Sequence, residues 1–310
     1  MLNDLMTVGG SVLTLLLMIV VGFILGKMKV LGGQTLTQMS NVLLCVVAPA
    51  LMIGTFQGEA RDVDAVRGLL VSAAVLLAVY VLQGLLMTVF FRRAPEESRG
   101  VSRFASIYGN VGFMGVPLIM SVLGAPGMAA TVISLAIFNI GIWTHGAWLI
   151  GGKSQMSLKK VFLNPGVVGI VIALILYGFG INLPGPVSSA VDYIGSLNTP
   201  LAMVIIGAQM SAVDIPSLFR DTRLYGVTAI KLLLIPAAVM LVLLPFNIDP
   251  VIYIAVVILA GCPVAGATSL MCQIAGRDTS YGAKLVTFST ILSVITLPLV
   301  AAAAKFMAVL

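Results

Sequence analysis

Residues 106 to 124, SIYGNVGFMGVPLIMSVLG, place three glycines, an asparagine and a proline within nine positions of an apolar run. Helix breakers inside a membrane leave backbone N–H and C=O groups unpaired, so non-helical backbone persists there only in protein or beside a water-filled cavity. A helix that begins at such a break presents free N–H groups and a partial positive charge, which bind anions. The residues that could form this site are Asn110, Gly112, Gly115 and Pro117.

The composition is that of an integral membrane protein. The 310 residues are 60% hydrophobic and 9% charged, with a mean hydropathy of +1.13, values far from those of soluble domains. The net charge of +6 is spread over short loops without a basic patch. The sequence therefore predicts a lipid bilayer as the environment and no nucleic acid as a partner. It predicts no metal site and no cofactor, and the three cysteines predict no disulfide framework.

Charges and turn residues divide the chain into ten predicted membrane spans, which makes the fold class all-α and polytopic. Each span is long enough to cross a hydrocarbon core of about 30 Å at ~1.5 Å per residue. The predicted spans are residues 5–26, 34–56, 68–91, 101–123, 127–150, 165–181, 186–210, 224–245, 250–274 and 283–305.

Lysine and arginine predict the orientation of these spans, because cytoplasmic loops carry the excess of positive charge. Thirteen of these residues follow spans one, three, five, seven and nine, whereas the opposite side holds Arg61, Arg67 and Lys305. We therefore predict a multi-pass protein of the inner or plasma membrane, with both termini on the outer, periplasmic side.

An internal repeat relates residues 1–150 to residues 151–310. The motif PALM, at residues 49–52 of span two, corresponds to PLAM, at residues 200–203 of span seven. Five spans per half reverse the direction of the second half in the membrane, so the repeat is inverted. Inverted repeats with interrupted spans are typical of secondary transporters that bind their substrate near the membrane midplane.

Spans four and nine carry the interruptions. Span nine has the sequence GCPVAG at residues 261–266, and its proline corresponds to Pro117 of span four. By residue count both breaks lie roughly 15 to 20 Å into the membrane, so they are predicted to meet near its centre. Proline favours the start of a helix. Pro117 and Pro263 are thus each predicted to begin a half-helix at an anion site, with Cys262 beside it.

Buried amides form a second set of candidates. A buried amide needs several hydrogen-bond partners, and near a broken helix it can hold backbone, substrate or an ion. Asn41 and Asn198 lie upstream of the repeated motifs, and Asn139 lies in span five. Serine and threonine residues in the spans are interpreted mainly as contacts between helices.

Three ionisable residues fall well inside predicted spans, several residues from either end, where burial of charge is expensive and function is the default hypothesis. Asp192 in span seven either couples transport to protons or faces water near the outer end. Lys231 in span eight either acts electrostatically or extends to the inner interface. His145 in span five either takes part in coupling or is a neutral hydrogen-bonding residue near that interface.

The stretch NVGFMGVPL, residues 110–118, resembles the signature of the auxin efflux carrier family, whose bacterial members include proteins regarded as malate and malonate permeases. PAL at residues 49–51 and KLLLIP at residues 231–236 are similar to further family patterns. The resemblance implies crossed broken helices four and nine, a scaffold of helices 1, 2, 6 and 7, elevator-type movement of helices 3–5 and 8–10, and a homodimer. Bile acid:sodium symporters share that architecture. This chain lacks the long central loop of many plant members.

The sequence therefore predicts a secondary active transporter of small organic anions, with mono- or dicarboxylates such as malate or auxin-like acids as substrates. A sodium-coupled carrier similar to the bile acid symporters is the alternative. Proton coupling, sodium coupling and uniport stay open, as do the substrate and the direction of transport. An intramembrane enzyme is disfavoured because paired carboxylates, Ser/His pairs and clustered metal ligands are missing from the sequence. A channel is disfavoured because no ring of charges is predicted.

Overall fold

The computed structural model describes residues 2–57 and 62–308. These residues are mostly helical and contain no strand, apart from one antiparallel bridge between Gly109 and Val264. The principal helices are α1 (Leu2–Lys27), α2 (Gly33–Phe56), α3 (Val63–Phe90), α4 (Glu96–Ile107), α5 (Val111–Leu123), α6 (Ala125–Gly151), α7 (Pro165–Phe179), α8 (Gly185–Ser211), α9 (Arg223–Phe246), α10 (Pro250–Gly261), α11 (Ala267–Ile274) and α12 (Ser280–Met307). The all-α fold class is confirmed.

Six helices, α2, α3, α6, α8, α9 and α12, are long and apolar enough to cross a membrane. A seventh results when α7 is joined to the helical segment before it across a 44° bend. The other predicted spans correspond to shorter apolar helices, namely Leu13–Lys27 within α1, α5 and α10. Spans four and nine are each divided at a break. The arrangement of ten spans in an inverted repeat therefore stays a prediction. Arg61, predicted in an outer loop, lies outside the described residues.

Asparagine and aspartate side chains mark where two of the spans begin. Asn164 accepts a hydrogen bond from the Gly166 N–H at 2.9 Å, and Asp249 accepts one from the Val251 N–H at 2.9 Å. A proline follows each of them at the first helical position. A side-chain cap followed by proline favours a helix start. The predicted starts of spans six and nine, at residues 165 and 250, are thereby confirmed.

Widened helical turns precede three of the prolines inside the spans. Proline has no N–H, and its ring clashes with the carbonyl one turn earlier; a π-helical turn moves that carbonyl away from the ring. These segments are Leu43–Val47 before Pro49, Val111–Gly115 before Pro117, and Ile230–Leu234 before Pro236. Each helix therefore continues through its proline, but the side chains within the widened turn are rotated relative to a regular helix.

Helices from predicted spans one, two, six and seven pack closely through glycine. A Cβ on Gly22 of α1 or on Gly207 of α8 would overlap a backbone carbonyl of the other helix. A Cβ on Gly169 of α7 would lie 2.8 Å from the Cα of Pro49 in α2. Small residues allow such close backbone contact in membranes. This group is the set of helices predicted as the scaffold, a role that stays a prediction.

The predicted inner ends of several spans meet in the structure. The hydroxyls of Ser102 and Tyr281 are 3.2 Å apart. The Arg223 guanidinium and the Lys284 ammonium lie 2.8 and 3.4 Å from the Asp221 carboxylate. The Arg223 guanidinium beside Asp221 holds the pKa of that carboxyl well below its usual range. Loops after spans three, seven and nine thus lie at one end of the molecule, and the side of the membrane that this end faces stays a prediction.

Candidate functional site

The breaks in predicted spans four and nine meet at one point. The Asn110 N–H donates a hydrogen bond to the Pro263 carbonyl at 2.7 Å, and the Ala265 N–H donates to the Tyr108 carbonyl at 3.1 Å. Val264 lies between these bonds, opposite Gly109, and its N–H donates to the Ser289 hydroxyl at 3.0 Å. The segments 108–110 and 262–265 therefore pair with each other through backbone hydrogen bonds. The predicted meeting of the two broken helices is confirmed.

The half-helices begin at residues other than the predicted prolines. The second half of span four begins at Val111, because the Asn110 side chain accepts a hydrogen bond from the Phe113 N–H at 3.2 Å and caps the helix there. The second half of span nine begins at Ala267, because Pro263 lies in the extended segment and its carbonyl is paired with Asn110. The prediction that Pro117 and Pro263 begin these half-helices was wrong.

A cavity of about 460 Å³ lies beside the crossing. Five asparagines line it, and four of them come from elements that flank the crossing rather than from the breaks. No Asp, Glu, Lys, Arg or His is among the described residues that line it. The asparagines are Asn41 in α2, Asn110 at the start of α5, Asn139 in α6, Asn164 before α7 and Asn198 in α8. The four amides predicted from the sequence are thus brought to one cavity.

Several hydrogen-bond donors of this cavity have no partner in the described part of the chain. Gly112, Gly266 and Ala267 line the cavity at the starts of α5 and α11, and their N–H groups take part in none of the described hydrogen bonds. The Asn198 side chain is 3% exposed, and its Nδ2 also lacks a partner. A buried donor such as the Asn198 Nδ2 is normally paired, and the N–H groups of a first helical turn have no partner within their own helix. These donors can therefore bind a ligand that accepts hydrogen bonds.

Other predicted site residues hold the crossing together instead of lining the cavity. Gly115 faces α10, since an added Cβ would lie 2.9 Å from the Leu259 Cδ2 and 3.3 Å from the Cys262 Sγ. Cys262 is fully buried, and Pro117 is buried within α5. Pro263 contributes its carbonyl to the pairing of the breaks. These four residues shape the crossing and are absent from the lining of the cavity.

Lys231 is buried beside the crossing. Its side chain is 1% exposed, and its ammonium Nζ donates a hydrogen bond to the Ala260 carbonyl at 3.0 Å, near the end of α10. The interpretation that Lys231 extends to the inner interface was therefore wrong. Lys231 lies in the π-helical segment Ile230–Leu234, which rotates its side chains relative to a regular helix. In this segment Lys231 is buried, whereas Leu233 and Leu234 are exposed.

His145 and Asp192 lie away from the cavity lining. The His145 Nδ1 is 3.0 Å from the Tyr108 hydroxyl. That hydroxyl also donates a hydrogen bond to the Gly141 carbonyl at 3.0 Å. His145 thus supports the break in span four through Tyr108. Asp192 is exposed on α8, with its Oδ1 3.0 Å from the position of a Cβ on Gly54. The structure does not bring Asp192 to the other predicted site residues.

A second cavity of about 650 Å³ lies at the other end of the same helices. Its lining includes Phe56 of α2 and Tyr177 of α7, whose ring centroids are 5.5 Å apart. Arg67 of α3 and Asp249 before α10 also line it. The predicted outer loops therefore surround one opening. Helices α2 and α7 pack on one side of a boundary, and α3, α6 and α10 lie on its other side. The two cavities lie at opposite ends of this boundary.

Sequence reasoning missed two residues of the site. Asn164 lines the cavity, although its sequence context, an asparagine before a proline, signals only a helix start. Tyr108 lies in the break between α4 and α5 and contacts His145. Neither role has a local pattern, because each depends on which helix from elsewhere in the chain lies alongside. The pattern of glycine and proline predicts where the helix breaks, but it does not predict which helices pack against the break.

Most of the chain matches a known family. Residues 7–301 match the family described as membrane transport protein. An uncharacterized transporter of Methanothermobacter thermautotrophicus is 22% identical over 301 residues, which cover 93% of this chain and 96% of that protein. A protein of Rhizobium meliloti named "Putative malonate transporter" is 22% identical over 301 residues, which cover 93% of this chain and 92% of that protein.

Proposed function

This chain belongs to the membrane transport protein family, the auxin efflux carrier family that its sequence resembles, and on that premise we propose that it is a secondary active transporter of small organic anions. It is a membrane transporter and not an enzyme. We propose mono- and dicarboxylates as its substrates. The observation that carries this proposal is the cavity beside the crossing, which five asparagines line and no charged side chain of the described residues enters.

The donors of this cavity suit a carboxylate. Free N–H groups at the starts of α5 and α11 and the buried Nδ2 of Asn198 can all donate to carboxylate oxygens. The two helix N-termini add a partial positive charge. Hydrogen bonds to charged groups contribute about 1.5–3 kcal/mol each. Because no basic side chain lines the cavity, the anion can leave again without breaking an ion pair.

The size of the cavity and one relative point to small substrates. A volume of about 460 Å³ is at the lower end of the range for small-molecule sites. The relative from Rhizobium meliloti is named for malonate, a small dicarboxylate. Malonate is therefore the first probe for binding, followed by malate and by aromatic monocarboxylates.

An elevator-type movement is part of the proposal. The cavity lies between α2, α7 and α8 on one side and the crossing with α6 and α12 on the other. Backbone hydrogen bonds join the two breaks, so the half-helices α4, α5, α10 and α11 would move as one body with their neighbours. We propose that spans one, two, six and seven stay fixed as the scaffold. A homodimer and outer termini are proposed from the family resemblance and the charge distribution.

Proton coupling through Asp192 is one of two coupling alternatives, and the position of Asp192 gives it little support, because this residue is exposed and lines neither cavity. If protons act through this carboxylate, Asp192→Asn flattens the pH dependence of uptake into proteoliposomes. An unchanged pH profile removes Asp192 from the mechanism. Sodium coupling would instead use backbone carbonyls at the crossing.

Binding of carboxylates to variants of Asn110 tests the proposed site. Asn110→Asp keeps the oxygen that caps α5 and replaces only the donor Nδ2 with a second oxygen. We expect it to bind malonate more weakly than Asn110→Ala, which itself loses roughly tenfold to hundredfold in affinity. Isothermal titration calorimetry on purified protein measures both.

Asn182→Asp is the matched control, because it makes the same chemical change at an exposed residue that lines neither cavity. It should bind malonate as the parent does. A folded Asn110→Asp variant that also binds as tightly as the parent would place the anion elsewhere. The same comparison is made with the best ligand of a carboxylate panel if malonate is not that ligand.

A further inference from the structure

The C-terminal ends of α4 and α10 meet on the face of the crossing opposite the helix starts. α4 ends at Ile107, two residues before Gly109, and α10 ends at Gly261. A Cβ on Gly109 would lie 3.1 Å from both the Cys262 carbonyl oxygen and the Lys231 Nζ. The ammonium therefore lies among backbone carbonyls at this junction, and it already donates to the Ala260 carbonyl at 3.0 Å.

Carbonyl groups at helix C-termini attract cations. Each terminus carries about half a negative charge, and in transporters with broken helices such ends and unwound carbonyls hold coupling ions such as sodium. In the described part of the chain no Asp or Glu pairs with Lys231. The Ala260 carbonyl at the end of α10 is thus the acceptor of its ammonium, which lies beside Gly109, just after the end of α4.

Two further oxygens, one on α4 and one on α9, lack hydrogen-bond partners among the described residues. The hydroxyls of Ser106 in α4 and Thr228 in α9 are buried and take no hydrogen bond among the described residues. Ser106 lies three residues before Gly109, and Thr228 lies three residues before Lys231, on helices that pack against each other. Buried hydroxyls without partners are uncommon, and they are oxygen ligands of the kind that alkali cations accept.

We propose that the Lys231 ammonium is a tethered cation that fills an alkali-cation site formed by the ends of α4 and α10. Substrate binding then needs no free sodium, because the positive charge beside the crossing is covalently part of the chain. Shortening this side chain should open the site to sodium from solution. The cation site is argued from the geometry around Lys231 alone, whereas the expected effect of Lys231 on malonate binding rests on the proposed function.

Thermal unfolding without malonate tests the cation site directly. Parent protein, Lys231→Ala and Lys231→Met are purified in detergent and compared in sodium chloride, potassium chloride and choline chloride at equal ionic strength. We expect the parent Tm to be the same in all three salts. Lys231→Ala should gain Tm with sodium or potassium in a saturable way, because a ligand of the native state stabilises it. Lys231→Met, which removes the charge but keeps the bulk, should show no such gain.

Two results would overturn the proposal. One is a saturable sodium or potassium effect on the parent, and the other is a folded Lys231→Ala variant that responds to neither ion. If Lys231→Ala does not fold, Lys231→Ser takes its place, since its small side chain leaves the same space and adds an oxygen. Failure of both variants to fold in all three salts also overturns the proposal, because a free cation then does not replace the ammonium.

Malonate binding supplies the second measurement. The parent should bind malonate equally well in sodium chloride and choline chloride, whereas Lys231→Ala should bind about tenfold more weakly in choline chloride, a typical size for coupling between sites. Lys231→Arg should keep the behaviour of the parent. A parent that binds malonate only with sodium overturns the tethered cation. A parent that binds no carboxylate contradicts the proposed function, and the Tm comparison still decides the role of Lys231.

Discussion

The two faces of the crossing carry opposite chemistry that comes from the same backbone breaks. On one face α5 and α11 begin, and free N–H groups line an open cavity of about 460 Å³. On the other face α4 and α10 end, and the Lys231 side chain fills the space among the carbonyls. An open site suits a ligand that must enter and leave, whereas a filled site suits a charge that stays. One break can therefore provide both a binding site and its counter-charge.

Charge reversal on the filled face is expected to have the largest effect. Lys231→Glu would place a carboxylate among carbonyls, and an uncompensated buried charge costs about 3–5 kcal/mol. We expect little folded protein by size-exclusion chromatography of a fluorescent fusion. Lys153→Glu, which reverses a charge at an exposed loop residue, should elute as the parent does. A yield of folded Lys231→Glu equal to that of the parent would contradict the difference in electrostatic potential between the two faces.

Removal of an unpaired donor on the open face should affect binding and leave stability unchanged. Asn198→Leu keeps the volume but removes the Nδ2 that has no partner, so malonate affinity should fall by roughly tenfold to hundredfold. The Tm should change little, because no described hydrogen bond of that nitrogen is lost. Asn164→Ala is the contrasting variant. It removes the cap of α7 and should lower stability by about 1 kcal/mol. A lower Tm for Asn198→Leu with unchanged affinity would make Asn198 a structural residue.

Two glycines of α5, three residues apart, face different surroundings: Gly112 lines the cavity, and Gly115 packs against α10. An alanine at Gly112 would meet only the Leu135 Cδ2 at 3.6 Å, whereas one at Gly115 would press on the Leu259 Cδ2 at 2.9 Å. We expect Gly112→Ala to weaken malonate binding severalfold with an unchanged Tm, since one methyl group in a site changes affinity by about 1–3 kcal/mol. Gly115→Ala should mainly lower the Tm. The reverse result would exchange the roles of the two glycines.

The smallest effect is expected at Asp221, which lies in the loop before α9 and does not line the cavity at the crossing. Its folded-state pKa is depressed by Arg223 and then by Lys284, so its contribution to stability is present above its unfolded pKa of about 4 and is lost as the pH falls through the folded value. Asp221→Asn should lower the Tm slightly at pH 7, and the difference from the parent should shrink below about pH 4. Malonate affinity should not change. A large loss of affinity would connect this loop to the crossing.

The sequence pattern was sufficient to locate the breaks and most of the amides. Glycine and proline in an apolar run have few explanations, because unpaired backbone is expensive in a membrane, and Asn41, Asn110, Asn139 and Asn198 all line one cavity. The starts of the half-helices were predicted wrongly, because proline was taken as the first residue. In α5 Asn110, seven residues before Pro117, caps the helix instead.

The direction of Lys231 could not be predicted from its position in the sequence. In a regular helix the residues of KLLLIP would be assigned to faces by a period of 3.6 residues, but the π-helical turn Ile230–Leu234 changes that rotation. Asn164 was missed for a related reason, since its role as a cap is local while its place in the cavity depends on α2, α6 and α8. The direction of the Lys231 side chain and the place of Asn164 in the cavity both depend on contacts between spans that are distant in the sequence.

The Lys231 ammonium also changes the electrical work of moving the substrate. Each elementary charge carried through a membrane potential of 100 mV exchanges about 2.3 kcal/mol with the field. Lys231 lies in α9 and bonds to α10, so in the proposed movement it travels with the crossing and its ligand. A bound monocarboxylate and this ammonium together carry no net charge, and a dicarboxylate carries one negative charge instead of two. With a monocarboxylate, the membrane voltage then acts only on the return of the empty carrier, which moves a positive charge. With a dicarboxylate, it acts on both the loaded and the empty step.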